Sequence, residues 1–355
     1  MRIAQIAPLH EAVPPKLYGG TERVVSFLTE ELVNLGHDVT LFASGDSVTE
    51  ANLHASWPRA LRLDPAIRDP IAPHMLMMEQ VAQRLDQFDV LHFHMDYWPF
   101  SYFSRQTIPY LTTMHGRLDL PELQPVFDTF SHVPVVSISD SQRRPLPQAN
   151  FVRTVLHGLP EKLLTPQGNP DGSDRSYLAF LGRICPEKGV DKAIRIARAV
   201  GIPLKIAAKI DKVDAEFFET VIRPMLGDGV ELIGEINDSQ KPAFLSGARG
   251  LLMPIDWPEP FGLVMIEAMA CGTPVIAFNR GSVPEVIEDG LTGLIVEDET
   301  SAIGAIARLH TLKPAAIRRR FETRFTARRM AEDYLAVYRQ LATQHRPNLR
   351  LVSSD

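Results

Sequence analysis

Cysteine is scarce in this chain of 355 residues: Cys185 and Cys271 are its whole complement, far apart and in no metal-ligand spacing. That argues against a disulfide framework or a cysteine-built metal site, and a reduced, cytoplasmic chain is the expectation. Long apolar runs are missing too. No stretch reaches the roughly 18 apolar residues of a membrane-crossing helix, and the opening MRIAQIAPLH lacks the apolar core of a secretory signal. Positive charge is not in excess. Lys and Arg total 37 against 43 Asp and Glu, a net charge of −6, which argues against a dedicated nucleic-acid binder. Several catalytic signatures are absent as well: the G-x-S-x-G elbow, the H-E-x-x-H zinc helix, a D-x-D metal motif, the G-x-G-x-x-G fingerprint and the G-K-[ST] phosphate loop.

What is present is a globular composition, 45% hydrophobic and 23% charged, in a chain long enough for two domains. Strand-like and helix-like segments alternate from the start. RIAQIAP reads as a strand, Thr21 to about Leu35 as a helix closed by Gly36, and DVTLFAS as the next strand. Further strands are expected at 89–95, 109–115 and 133–139, rich in Val, Ile and Leu as strands buried on both faces are. The segment 158–176 turns to Gly, Pro, Asp and Ser, a linker composition. After it the alternation resumes with SYLAFLG, a helix over 191–200, PLKIAAK, a helix over 214–226, VELIGE, GLLMPI, the helix around Glu267, PVIAFN and GLIV. The fold class is therefore α/β, with two Rossmann-like parallel sheets facing each other across a cleft, where such sheets bind ligands at the carboxyl ends of their strands. The Met-rich run at 74–79 reads as helix core.

Charge marks the cleft residues. In LGRICPEKG, Arg183 and Lys188 project from a loop after a strand ending at Leu181, suited to a pyrophosphate or equally to an ordinary surface loop. Gly19 and Gly20 lie between the first strand and first helix, where backbone N–H groups can meet an anion, although a plain flexible turn fits as well. In PEPFGLVMIEAMACG, Glu259 sits between prolines and Glu267 within an apolar helical pattern. A carboxylate among Ile266, Ala268 and Met269 needs a partner if buried, a ribose diol or a salt bridge, and otherwise lies on a solvated helix face. His92 and His94 alternate on one strand face, and Asp96, Tyr97 and Trp98 behind them form an aromatic platform with a carboxylate. Lys313, Arg318, Arg319, Arg320, Arg324, Arg328, Arg329, Arg339, Arg346 and Arg350 crowd the C-terminal stretch, which reads as a solvated helical face or, alternatively, a contact for an anionic surface.

The run E-P-F-G-L-V-M-I-E, with GSVPEVIEDGLTGLIVE after it, LGRICPEKG and the Gly-Gly loop before it and MAEDYLAVYRQL at the end, resembles the retaining glycosyltransferases of family 4 with their E-x7-E signature. The resemblance covers nearly the whole chain. It implies the GT-B fold: an acceptor domain over 1–160, completed by C-terminal helices over 326–345, and a nucleotide-sugar donor domain over 176–325. It also implies roles. Arg183 and Lys188 would hold and stabilise the leaving diphosphate, Glu259 and His115 would meet the donor sugar, and Glu267 would bind the ribose. Gly19, Gly20, Glu235, Ile236, Phe261, Gly262, Leu263 and Val264 would complete the donor site through backbone groups. His94, Asp96, Tyr97 and Trp98 are the acceptor-side candidates. The implied reaction moves a hexosyl unit from a nucleoside diphosphate sugar, UDP before GDP, to a hydroxyl of a sugar, glycan or small metabolite. It needs no metal and no cofactor, and neither nucleic acid nor, preferentially, membrane is a partner. A same-fold epimerase or phosphorylase, or a non-catalytic nucleotide-sugar binding module, is the alternative.

Overall fold

The computed structural model describes residues 1–16, 19–62, 64–169 and 171–344, so Arg346, Arg350 and the end of the expected terminal helix lie outside the described residues. Two fully parallel sheets carry the architecture. The first has seven strands: β1 Arg2–Ile6, β2 Asp38–Ser44, β3 Asn52–Trp57, β4 Val90–Phe93, β5 Tyr110–Thr113, β6 Val135–Ser137 and β7 Phe151–Thr154. Their spatial order is β3-β2-β1-β4-β5-β6-β7. The second has six: β8 Tyr177–Arg183, β9 Leu204–Lys209, β10 Val230–Gly234, β11 Ala248–Met253, β12 Val275–Phe278 and β13 Gly293–Val296, ordered β10-β9-β8-β11-β12-β13. In each sheet the order reverses once, between β1 and β4 and between β8 and β11. A crevice opens at such a switch point because the connections on either side leave over opposite faces.

The apolar pattern explains the elements. On β1, Ile3, Ala4 and Ile6 are all buried, as a central parallel strand requires, and the helix Gly20–Asn34 turns Val24, Phe27, Leu28 and Leu32 onto the sheet. Within Ile71–Ala82 the Met-rich run divides: Met77 and Met78 are buried while Met75 is exposed.

Several expected boundaries move. Strands 89–95, 109–115 and 133–139 are shorter, so His94 and His115 stand just past their strand ends. The strand expected to stop at Leu181 continues to Arg183, because β8 keeps its register with β9 through the pair Arg183↔Lys209. The helix expected over 214–226 is a succession of short 3-10, α and π turns closed by Arg223–Met225, whose Pro224 lacks the N–H to continue it. Strands β3 and β7 had no sequence signal strong enough to mark them.

The chain returns to the first sheet at its end. The Leu159 N–H donates to the Phe325 carbonyl at 2.9 Å and the Ala327 N–H to the Leu159 carbonyl at 2.7 Å. From there the helix Ala327–Gln344 packs on Gly20–Asn34 and buries Tyr334 and Tyr338 at 0% exposure. Four of the C-terminal arginines are spent on this crossing. Arg318 donates to the carbonyls of Glu161, Leu164 and Ala270, Arg320 and Arg324 hold Glu288, and Arg329 donates to the carbonyls of Leu156 and His157. Among the described residues no helix is long and apolar enough to cross a membrane.

The crossing depends on Gly158, since a Cβ there would lie 2.2 Å from the Thr326 carbonyl oxygen. Replacing Gly158 with alanine is expected to cost about 1–3 kcal/mol, read as a lower thermal unfolding midpoint. An unchanged midpoint would show that the return strand can move away freely.

Candidate functional site

A cleft of about 1070 Å³ lies between the two sheets, at the carboxyl ends of the switch-point strands. From the first sheet's side it is lined by Gly19, Gly20, Arg23, His94, Asp96, Trp98 and His115, and from the second by Arg183, Lys188, Glu235, Ile236, Glu259, Glu267 and the segment Phe261 to Val264. All of the donor-side and catalytic candidates read from sequence meet here. Two helix N-termini face each other across it. A Cβ on Gly20, the first residue of Gly20–Asn34, would lie 3.9 Å from Leu263 Cδ1, the first residue of Leu263–Ala270. Both helices direct N–H groups and the positive ends of their dipoles at the same space, an arrangement whose chemistry suits an anion. Gly262 begins the second helix at φ +77°, where a side chain is strained, and a Cβ would also meet Met265 Cε at 2.8 Å and Met253 Cε at 2.9 Å.

The cations stand ready beside that space. Lys188 is ion-paired with Glu259 Oε2, and Trp257 Nε1 donates to the same oxygen at 3.0 Å while its ring lies 4.7 Å from the Lys188 ammonium. Arg183 is placed among three carboxylates, Glu187 at 3.3 Å, Asp214 at 3.6 Å and Asp211 at 3.7 Å. Asp211 in turn holds Lys209 at 2.9 Å. The positive groups on this wall are thus held in place by carboxylates.

Glu267 is 2% exposed and takes the salt-bridge alternative in this structure. Arg23 Nη1 donates to its Oε1 at 2.6 Å and Lys241 Nζ at 2.8 Å, while Asp238 binds the other arms of both cations. Burial opposes the charge, but the Lys241 ammonium and the Arg23 guanidinium outweigh it and hold the carboxyl down at about 2. Both hydrogen bonds use Oε1, which leaves Oε2 for a ligand at the cleft wall.

On the first-sheet side His115 Nε2 lies 2.9 Å from His94 Nδ1, and its ring stacks on His157 at 5.3 Å between centroids. Burial pushes the His115 imidazole down to about 3, so it is neutral at ordinary pH. Asp96 accepts from the His115 backbone N–H, and desolvation raises its carboxyl to about 6. One sequence expectation fails here: Tyr97 does not line the cleft. Asp96 adopts a left-handed φ of 49°, and the turn brings Trp98 into the wall instead, edge-on to His74 at 4.9 Å, with Tyr97 left outside. Among the described residues no group of three or more His, Cys, Asp or Glu is placed to hold a metal ion.

A family model described as "Glycosyltransferase Family 4" matches residues 18–151, and one described as "Glycosyl transferases group 1" matches 164–324. The chain belongs to glycosyltransferase family 4. Among its curated relatives is the phosphatidyl-myo-inositol mannosyltransferase of Mycolicibacterium smegmatis, 26% identical over an alignment of 376 residues that takes in 96% of this chain and 92% of that one. With an uncharacterized 41.2 kDa protein in the cps region of Klebsiella pneumoniae the identity is 29% over 185 residues. That match spans 50% of each chain, so this chain covers about half the length of some relatives and nearly all of others. Among solved structures, Anabaena Alr3699/HepE in complex with UDP and glucose superposes with a TM-score of 0.71 at 16% identity, over 96% of this chain and 100% of that one. The GT-B fold of two facing Rossmann-like domains is thus shared.

Sequence reading of this family 4 member missed Arg23, Lys241 and Trp257. Arg23 follows the Gly-Gly turn like any solvated first-turn residue, and its partner Glu267 is 244 positions away. Trp257 could have been suspected, being an aromatic two residues before Glu259 in a proline-rich loop.

The paired Glu267 makes an acid-stability prediction. Its depressed carboxyl contributes stability that is complete above the ordinary glutamate range and is lost as pH falls toward about 2. Glu267→Gln strands Arg23 and Lys241 without their counter-charge, which is expected to cost about 3–5 kcal/mol at neutral pH. Denaturant unfolding of both forms from pH 7 down to pH 3 should show the gap narrowing with acid, and a constant gap would refute the assignment.

Proposed function

We propose that this chain transfers a hexosyl unit from a nucleoside diphosphate sugar, with a UDP-sugar first and a GDP-sugar next, to a hydroxyl of a sugar, glycan or small-metabolite acceptor. Transfer retains the anomeric configuration, proceeds in the cytoplasm, and uses neither metal nor cofactor. The observation that carries the proposal is the meeting, in one cleft, of two helix N-termini with Arg183 and Lys188. That arrangement suits a diphosphate, and it sits between carboxylates that suit hydroxyl groups. The bound UDP and glucose of the Anabaena neighbour support UDP as the first donor to try.

In this reading the second domain binds the donor. The N–H groups of Gly262 to Val264 and of Gly20 receive phosphate oxygens, and Arg183 and Lys188 stabilise the charge that grows on the diphosphate as the bond to the anomeric carbon breaks. Glu267 accepts from the ribose diol through its second oxygen, Glu235 and Ile236 border the base, and Glu259 and His115 meet sugar hydroxyls. The acceptor enters from the first domain's side, past His94, Asp96 and Trp98, on the face the diphosphate is leaving. Its oxygen bonds to the anomeric carbon, and its proton passes to the departing diphosphate oxygen, so no protein nucleophile is needed.

Lys188→Ala is expected to fold normally and lose on the order of 10² to 10³ in turnover, assayed as UDP release with a panel of acceptors. The product's anomeric configuration should match the donor's by proton NMR, and chelation should leave the rate unchanged. UDP at about 100 times its dissociation constant should add roughly 2.7 kcal/mol of stability. If UDP, GDP and ADP all leave the unfolding midpoint unmoved, the cleft is not a nucleotide site and the proposal falls.

A further inference from the structure

Behind His115 the cleft wall is polar, buried and continuous with the C-terminal helix. His115 Nε2 meets His94 Nδ1 at 2.9 Å, and His94 Nε2 meets Gln5 Oε1 at 2.8 Å. Gln5 Nε2 donates to the Tyr338 hydroxyl at 3.0 Å, which lies 2.7 Å from His92 Nδ1. His92 Nε2 then meets Thr113 Oγ1 at 2.7 Å, and Thr113 meets the Tyr334 hydroxyl at 2.9 Å. Gln5, His92, Thr113, Tyr334 and Tyr338 are all 0% exposed, so no solvent competes for these bonds. Burial also holds His92 and His94 neutral, each with one N–H and one lone pair.

In a chain of neutral rings the direction of one bond dictates the next. An amide oxygen only accepts, so the His94 hydrogen sits on Nε2 and its Nδ1 is a lone pair. The His115 hydrogen must then sit on Nε2, pointing at His94. From the other end of Gln5 the same polarity runs on: amide N–H to Tyr338, Tyr338 O–H to His92 Nδ1, and His92 Nε2–H to Thr113. Each of these bonds then has one donor and one acceptor. Reversing the chain would require turning over the Gln5 amide together with each ring tautomer and hydroxyl along it. His115 lines the cleft, and its remaining nitrogen, Nδ1, is a lone pair with no hydrogen-bond partner among the described residues.

We propose that Gln5 and Tyr338 are positioning residues that present His115 to the donor sugar as a hydrogen-bond acceptor, so that the sugar must offer a hydroxyl there and a carboxylate in that place is refused. The donor class is then a neutral UDP-hexose rather than a UDP-hexuronate, which rests on the transferase reading above. The tautomer itself does not rest on it.

The test is a long-range proton–nitrogen correlation spectrum of the histidine-labelled full chain, with the His115 signals identified by their loss in His115→Gln. Wild type is expected to show His115 protonated on Nε2 with a bare Nδ1. In Gln5→Leu and in Tyr338→Phe, which removes one oxygen and keeps the ring, the signals should move toward exchange between tautomers. Turnover of a UDP-hexose should fall on the order of 10-fold, the worth of one hydrogen bond, and its advantage over the UDP-hexuronate should shrink. A proton on Nδ1 in wild type overturns the proposal, as do unchanged His115 signals in a folded Tyr338→Phe. If no UDP-sugar turns over at all, the transferase reading has failed, while the spectrum still decides the tautomer.

Discussion

A carboxylate at 2% exposure keeps its charge only if cations come to it, and those that serve Glu267 come from both sides of the cleft. Lys241 belongs to the second sheet's surroundings and Arg23 to the first helix of the chain. Arg23 also reaches Asp238, so one guanidinium ties the first helix to two carboxylates of the other half. Much of the site follows from that tie. It draws the start of helix Gly20–Asn34 against the start of Leu263–Ala270, so that two helix N-termini face each other across the cleft. The same charge that closes the cleft also orients the carboxylate lining it.

Why the remaining groups converge is a matter of sheet topology. Strand order reverses beside β1 and β8; Arg183 ends β8, and the segments leaving β1, β4 and β11 at their carboxyl ends carry Gly20, His94 and Glu259. The residues come from four places in the sequence because four parallel strands end at two adjacent crevices. Burial then selects their electrostatic states. The histidines that line and back the cleft are neutral because burial disfavours the imidazolium, while Glu267 stays ionised because its cations outweigh the same effect.

The C-terminal helix has a double place in this design. It closes the first sheet's apolar face with Met330, Leu335 and Val337, and it brings two tyrosine hydroxyls into the polar row behind His115. The arginines around it, which in sequence could pass for a basic surface, mostly satisfy backbone carbonyls and carboxylates at the crossing. Their charge is structural because the return of the chain leaves loop carbonyls that need donors.

By itself, the sequence determined the two parallel sheets and picked out Glu259, Glu267, Arg183 and Lys188, which meet in one cleft, since strand composition, turn residues and the spacing of these charges are local properties. It could not determine which alternative a charged residue takes. That Glu267 is salt-bridged could not be read until Arg23, 244 positions away, was seen on it. Tyr97 and Trp98 were equivalent as text, and the left-handed turn at Asp96 separated them. The strand ends and the broken helix over 214–226 likewise depended on register and packing. Only the tertiary structure could decide these matters, because the partners that fix a charge, a tautomer or a side chain's direction come from parts of the chain that local pattern does not connect.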